Sequence, residues 1–303
     1  MKKYIKKLIA IMLFFTLLTS CTLLTGDYEI TNVRIFMGTP TWELAKAVND
    51  QDIVKIKRIA TRTPEVLDLQ DPIHGMTILF WAVGMKKYEA AEALLKAGAD
   101  PNIISSYEGG TALYMAAGYL FTDRQLIELE DPKFVKLLLK YDADPNIGYV
   151  GNERNNIPEI GTTTVMNSIP CGIEKTKALV EAGADINFRT DRGDSAVLQS
   201  LDAGIIGYLN GSPDYAHYLI VEKKADVTKP WLGRASGEEV PLVNYLREWV
   251  YPLDSEGYKI KMEIVEEFAR QGEDYWSTEI PKDRLSQIQK LYPYTWEEYI
   301  LRY

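Results

Sequence analysis

A phrase recurs along the chain: Leu94-Leu95-Lys96-Ala97-Gly98-Ala99-Asp100-Pro101-Asn102-Ile103, then Leu137-Leu138-Leu139-Lys140-Tyr141-Asp142-Ala143-Asp144-Pro145-Asn146-Ile147. Looser copies follow at Leu179-Val180-Glu181-Ala182-Gly183-Ala184-Asp185-Ile186-Asn187-Phe188 and at Leu219-Ile220-Val221-Glu222-Lys223-Lys224-Ala225-Asp226-Val227. A phrase returning every few tens of residues dictates a stack of similar units. One such unit is too small to bury its own apolar face and must lean on the next.

Ahead of each copy stands a second phrase. Gly75-Met76-Thr77-Ile78-Leu79-Phe80-Trp81-Ala82 is followed by Gly109-Gly110-Thr111-Ala112-Leu113-Tyr114-Met115-Ala116, then Gly161-Thr162-Thr163-Thr164-Val165-Met166-Asn167-Ser168, then Gly193-Asp194-Ser195-Ala196-Val197-Leu198-Gln199-Ser200. Thr or Ser is placed to cap a short first helix, whose apolar face packs on a second helix. Gly98 and Gly183 suit the left-handed residue that ends that second helix. The Asp-x-Asn step after them supplies turn chemistry for a hairpin finger.

Together the two phrases resemble the ankyrin repeat, whose period is ~33 residues. The resemblance implies an all-α fold: an ankyrin-repeat solenoid of stacked helix–turn–helix units with β-hairpin fingers. It covers residues 40–272 in about six repeats, with Glu43 to Ile59 as a polar-faced first unit and a degenerate sixth opening at Pro241-Leu242-Val243. Where the family carries a His that braces neighbouring hairpins, this chain has Phe80, Tyr114, Met166 and Leu198. The expectation is therefore that apolar packing, rather than a hydrogen-bond network, joins the units. Thr111 to Asp144 spans 33 positions against 23 for Thr77 to Asp100, so 118–131 reads as an insertion between paired helices, as does 203–213. The finger at 148–160 is also enlarged. Such insertions map to surface loops, where partners are often met.

The N-terminus reads as a targeting segment. Lys2, Lys3, Lys6 and Lys7 precede an apolar run from Leu8 to Leu18, which at 11 residues falls short of the ~20 that span a bilayer. Leu18-Thr19-Ser20-Cys21 resembles the lipobox of bacterial lipoproteins. That resemblance implies a signal peptide over 1–20, lipid (palmitate and related acyl chains) on Cys21, and a tether over 21–39. The expected location is the bacterial cell envelope, periplasm-facing or on the surface. Thr22 rather than Asp after the Cys favours the outer membrane over the inner. Cys171, the only other cysteine, reads as a small packing residue.

The remaining chemistry is sparse. The formal net charge is −9, and a surface of that sign repels nucleic acid. Only two His exist, His74 and His217, without a second His at metal spacing from either. No serine-nucleophile elbow or phosphate-cradling loop is present. Asp100, Asp144, Asp185 and Asp226 sit at turn positions, which suits structure rather than metal binding. The chain is expected not to be an enzyme, with no cofactor, no metal and no small-molecule substrate.

The expected activity is that of a membrane-tethered, non-enzymatic protein–protein interaction scaffold. The family meets partners through its concave face, using finger tips and the exposed side of first helices. Carried onto this chain, those positions are Tyr107, Glu108, Phe188, Arg189 and Arg192 on fingers, with Trp81, Met115, Asn167 and Gln199 on first helices. Alternatives are a periplasmic immunity protein that neutralises a toxin and a structural envelope protein. Residues 273–303, with Tyr275, Trp276, Tyr292, Tyr294, Trp296, Tyr299 and Tyr303, read as an aromatic segment that caps the stack or docks a partner.

Overall fold

The computed structural model describes residues 29–303 apart from 107, 122–129, 152–158, 170, 203–211 and 234–236. The signal peptide, Cys21, Tyr107 and most of both inter-helix insertions therefore lie outside the described residues. Helices come in pairs. They are α1 (Trp42–Asn49) with α2 (Ile53–Arg62), α3 (Ile78–Gly84) with α4 (Tyr88–Lys96), and α5 (Ala112–Ala117) with α6 (Lys133–Lys140). Then come α7 (Thr164–Asn167) with α8 (Ile173–Glu181), and α9 (Ala196–Leu201) with α10 (Pro213–Ala216), which runs on as a π-helical turn over His217–Glu222. The sixth pair is a 3-10 helix at Leu242–Glu248 with α11 (Glu256–Arg270). Each first helix packs on the first helix of the next pair and each second helix on the next second helix, so two helical layers run the length of the stack.

The short first helices form because hydroxyls cap them. Thr77 Oγ1 accepts from the Phe80 amide at 3.2 Å, Thr111 from Tyr114 at 3.1 Å, Thr163 from Met166 at 3.4 Å and Ser195 from Leu198 at 3.1 Å. Each bond satisfies a donor that the helix start leaves open, and each is worth about 1 kcal/mol. The second helices end at a left-handed residue, with φ of +98° at Gly98 and +94° at Gly183. At the same place the third unit carries Asp142 (φ +62°) and the fifth Lys224 (φ +58°), side chains in a region that disfavours a Cβ.

The fingers are short hairpins whose arms exchange main-chain bonds, Ser105 with Gly110 and Thr190 with Asp194. Among the described residues the longest pairing is β1 (Trp231–Leu232) with β2 (Glu239–Val240), antiparallel with Trp231 opposite Val240. One expectation needs correction: apolar packing is not the sole tie between units. In each turn the Asp carboxylate accepts from the amide two residues on, as Asp100 does from Asn102 and Asp144 from Asn146, both at 2.8 Å. That turn aims the Asn at the following unit. Asn102 Oδ1 accepts from the Asp144 amide at 2.8 Å while its Nδ2 donates to the Asp142 carbonyl at 3.1 Å. Asn146 repeats this on Asp185 and Gly183, Asn187 accepts from Asp226, and Asp68 accepts from Asp100. Gln271 closes the series, accepting from Val227 and donating to the Ala225 carbonyl.

One continuous core runs from Ile35 to Tyr275. The chain beyond it adds α12 (Lys282–Leu291) and α13 (Trp296–Ile300), which enclose a second small cluster of Val250, Ile288, Tyr299 and Tyr303. Two basic side chains line the seam between the two. Buried Arg247 donates to the main-chain oxygens of Tyr275 and Tyr303 and to Thr278 Oγ1, with its guanidinium 3.9 Å from the centre of the Tyr275 ring. Lys261 Nζ, equally buried, lies 3.8 Å from the Tyr303 ring centre and donates to the Trp249 carbonyl at 3.0 Å. Among the described residues no helix is long and apolar enough to cross a membrane.

Candidate functional site

On the first helices, the residue types that the resemblance marks for contact are turned to internal use. Trp81 is fully buried. Its Nε1 donates to the Ile30 carbonyl at 3.1 Å and its ring meets Phe36 edge-on at 6.5 Å, because residues 30–36 fold over the start of the stack. Met115 is 8 % exposed and belongs to the continuous core, with α3, α5 and α7 in contact around it. Neither Trp81 nor Met115 can meet a partner without unfolding its surroundings, so both expectations fail. Asn167 Nδ2 donates to the Tyr114 carbonyl at 2.7 Å, and Gln199 Nε2 to Asp194 Oδ2 at 3.3 Å. Both are half-buried links inside the stack.

The fingers of the third to fifth units are different. Ahead of the fourth unit, two arms pair across the base of the enlarged finger. The Tyr149 amide donates to the Thr162 carbonyl at 2.9 Å and the Gly161 amide to the Tyr149 carbonyl at 2.8 Å. Gly109 lets this finger close on its neighbour. Its φ is +71°, its carbonyl accepts from Val150, and a Cβ there would stand 2.5 Å from the Gly151 carbonyl oxygen. The ring of Tyr149 is thereby buried, stacked 6.0 Å from Tyr114.

What the paired arms leave outside is apolar. Val150, Ile160 and Phe188 are 53 %, 58 % and 39 % exposed, and with Asn146, Gly148, Tyr149, Gly161 and Thr163 they line an open cleft of about 290 Å³. Val150 and Ile160 were not among the residues singled out in the sequence, although the finger carrying them was. The signal available was an aliphatic side chain on each arm of an insertion, where a purely solvated loop has no use for one.

Two carboxylates neighbour, along the chain, residues of the cleft or residues bonded to it. Glu159, next to Ile160, accepts from Thr190 Oγ1 at 3.0 Å and from the Arg192 amide at 3.3 Å. Glu108, next to Gly109, is half-buried, and burial pushes its carboxyl above the ordinary value. Arg192 is exposed, whereas Arg189 turns its guanidinium inward to the Pro230 carbonyl, and burial pulls its pKa below the usual arginine value. Of the expected finger contacts, Phe188, Arg192 and Glu108 thus surround one region and Arg189 braces the next finger.

Residues 79–139 match the family model described as ankyrin repeats (many copies). No curated protein matches the sequence. Among solved structures, the ankyrin repeat protein EF0377 is 22 % identical, with a TM-score of 0.48 over 80 % of this chain and 99 % of that one. The ankyrin repeat domain of Bcl-3, a member of the IkappaB protein family, is 19 % identical, with a TM-score of 0.51 over 77 % of this chain and 86 % of that one. Capped helix pairs, left-handed helix ends, linked fingers and the matched segment agree, and the chain folds as an ankyrin-repeat solenoid.

Proposed function

We propose that this chain is a lipid-tethered, non-enzymatic scaffold that holds a protein partner against the fingers around its fourth and fifth repeats. Ankyrin repeats imply a protein–protein interaction scaffold, and one observation directs the reading to this place: Val150, Ile160 and Phe188 stand exposed together while the first-helix positions are buried or half-buried. Apolar side chains that already stand together at the surface are the kind of anchors from which such a surface gains affinity. The test is a photo-crosslinking residue at Phe188 in the cells that make the protein. Capture of one discrete protein at Phe188, absent when the residue stands at exposed Val54 on α2, supports the scaffold. No capture, or the same capture at both positions, refutes it.

Tethering rests on the lysines at 2, 3, 6 and 7, the apolar run and the Leu18-Thr19-Ser20-Cys21 step. Acyl chains on Cys21 would hold the solenoid at a membrane, more firmly than a single chain does, and Thr22 favours the outer membrane of a bacterial envelope. Cys21→Ser should release the protein into the soluble fraction. Unchanged membrane fractionation would remove the lipid from this reading and leave the scaffold standing.

A further inference from the structure

We infer that the cleft at the enlarged finger takes a basic–apolar peptide segment: a bulky aliphatic or aromatic side chain seated between Val150, Ile160 and Phe188, with a neighbouring Lys or Arg facing Glu108 or Glu159. The inference rests on the scaffold reading and names its partner's chemistry. The seat fits one large side chain, since about 290 Å³ is at the small end of the pockets that enclose ligands. Its lining is mostly apolar, with Asn146 and Thr163 as the polar part, and the two glycines leave room for the side chains: a Cβ at Gly161 would stand 3.7 Å from Phe188 Cε1 and one at Gly151 3.2 Å from Ile160 Cδ1.

The sign of the neighbouring charge follows from the flanks. Glu108 is half-buried, and among the described residues no cation pairs with it. Its backbone is held one residue from the bond between Gly109 and Val150 at the cleft edge. A carboxylate placed there costs desolvation in the free protein, and an arriving ammonium or guanidinium offsets that cost. Glu159, on the opposite arm, is held by a hydroxyl and an amide rather than by an ion pair, with Arg192 meeting it through main-chain N–H. Arg189, next to Phe188 in the chain, gives its guanidinium to the Pro230 carbonyl. Two carboxylates stand beside the cleft against one exposed guanidinium, that of Arg192, so a basic segment is favoured over an acidic one, and the chain's net charge of −9 steers the same choice at long range.

A random-sequence displayed peptide library panned against the full chain tests this directly. The expected enrichment pairs Lys or Arg with a bulky apolar residue. A synthetic peptide of the enriched sequence should bind Ile160→Asp at least tenfold more weakly and Glu108→Gln about fivefold more weakly, with the salt dependence of binding reduced in Glu108→Gln. Val54→Asp should bind like the parent, and matching helical circular dichroism in all three variants guards against misfolding. An acidic consensus, no enrichment, or full binding to Ile160→Asp overturns the inference. Peptides that bind elsewhere, unaffected by Ile160→Asp, sink the cleft while leaving a scaffold intact; failure of crosslinking at Phe188 removes the scaffold itself.

Discussion

Asn146 bridges to the turn that holds Asp185, accepting from the Asp185 amide at 2.8 Å and donating to the Gly183 carbonyl at 3.1 Å. The two bonds satisfy one donor and one acceptor that the end of α8 would otherwise leave to water. They also fix the spacing between consecutive fingers, which apolar packing, being non-directional, does not do. The same side-chain position serves at Asn102 and Asn187, so the ladder sets the regular rise on which the irregular finger stands out.

Asn146→Ala removes both bonds at a solvent-exposed site, where water partly replaces them. The expected loss is about 1 kcal/mol in urea unfolding. Amide exchange should quicken at Asp185 in particular. A variant as stable as the parent, with unchanged exchange there, would show that the ladder follows the stacking rather than fixing it.

Much of the stack was legible because its determinants are local. A hydroxyl three residues before a helical amide, or a Gly after an apolar pair, declares its own geometry, and these fall at Thr77, Thr111, Ser195, Gly98 and Gly183. The ladder is not legible in the sequence, although its Asn residues stand in the first three copies of the phrase. An Asn there is already accounted for by its own turn, and the bond to the next unit shows only once two units are stacked. Trp81 failed for a similar reason. A position that faces the groove in the family is here covered by residues 30–36, and that contact spans 51 positions. The cleft was half legible: a count of positions located the finger, but the pairing of Tyr149 with Thr162 decides which side chains point out.

Lys261 makes a prediction about pH. Desolvation, then the nearby Arg247 charge, holds its ammonium well below the ordinary value of 10.5. The groups facing it are Arg247 on the 3-10 helix, the Trp249 carbonyl and the rings of Tyr275 and Tyr303. With the folded value below the unfolded one, the folded state binds fewer protons, so stability rises with pH from the lowered value up to 10.5. Lys261→Met should be at least as stable as the parent at neutral pH, because a buried, desolvated amine is replaced by an apolar side chain of similar shape. It should also lose that rise. Urea midpoints measured at several values between pH 7 and 10 give the slope; an equal slope in both proteins refutes the assignment to Lys261.

Buried and half-buried tyrosines set the alkaline limit with the opposite sign. Desolvation pushes Tyr218 and Tyr251 up to about 12, and Tyr114, Tyr245, Tyr275, Tyr299 and Tyr303 higher still. Each folded value lies above the unfolded value near 10, so the stability they contribute is intact below pH 10 and drains away as pH climbs through the folded values. Tyrosinate absorbance should therefore appear cooperatively, together with loss of helical circular dichroism, above pH 10. Gradual ionisation of these rings with the helices intact would contradict their burial.

Asp142 offers a gain rather than a loss. It occupies the place held by Gly98 and Gly183, with φ of +62°, where its Cβ crowds the following carbonyl. Its side chain is exposed, and the carbonyl that accepts from Asn102 belongs to the main chain, so Asp142→Gly keeps that bond. Removing the Cβ relieves the strain, although glycine also loosens the unfolded chain and returns part of the benefit. The expected balance is a stabilisation of about 0.5 kcal/mol, read as a higher urea midpoint with an unchanged slope. A lower midpoint would mean that Asp142 is held by more than its backbone.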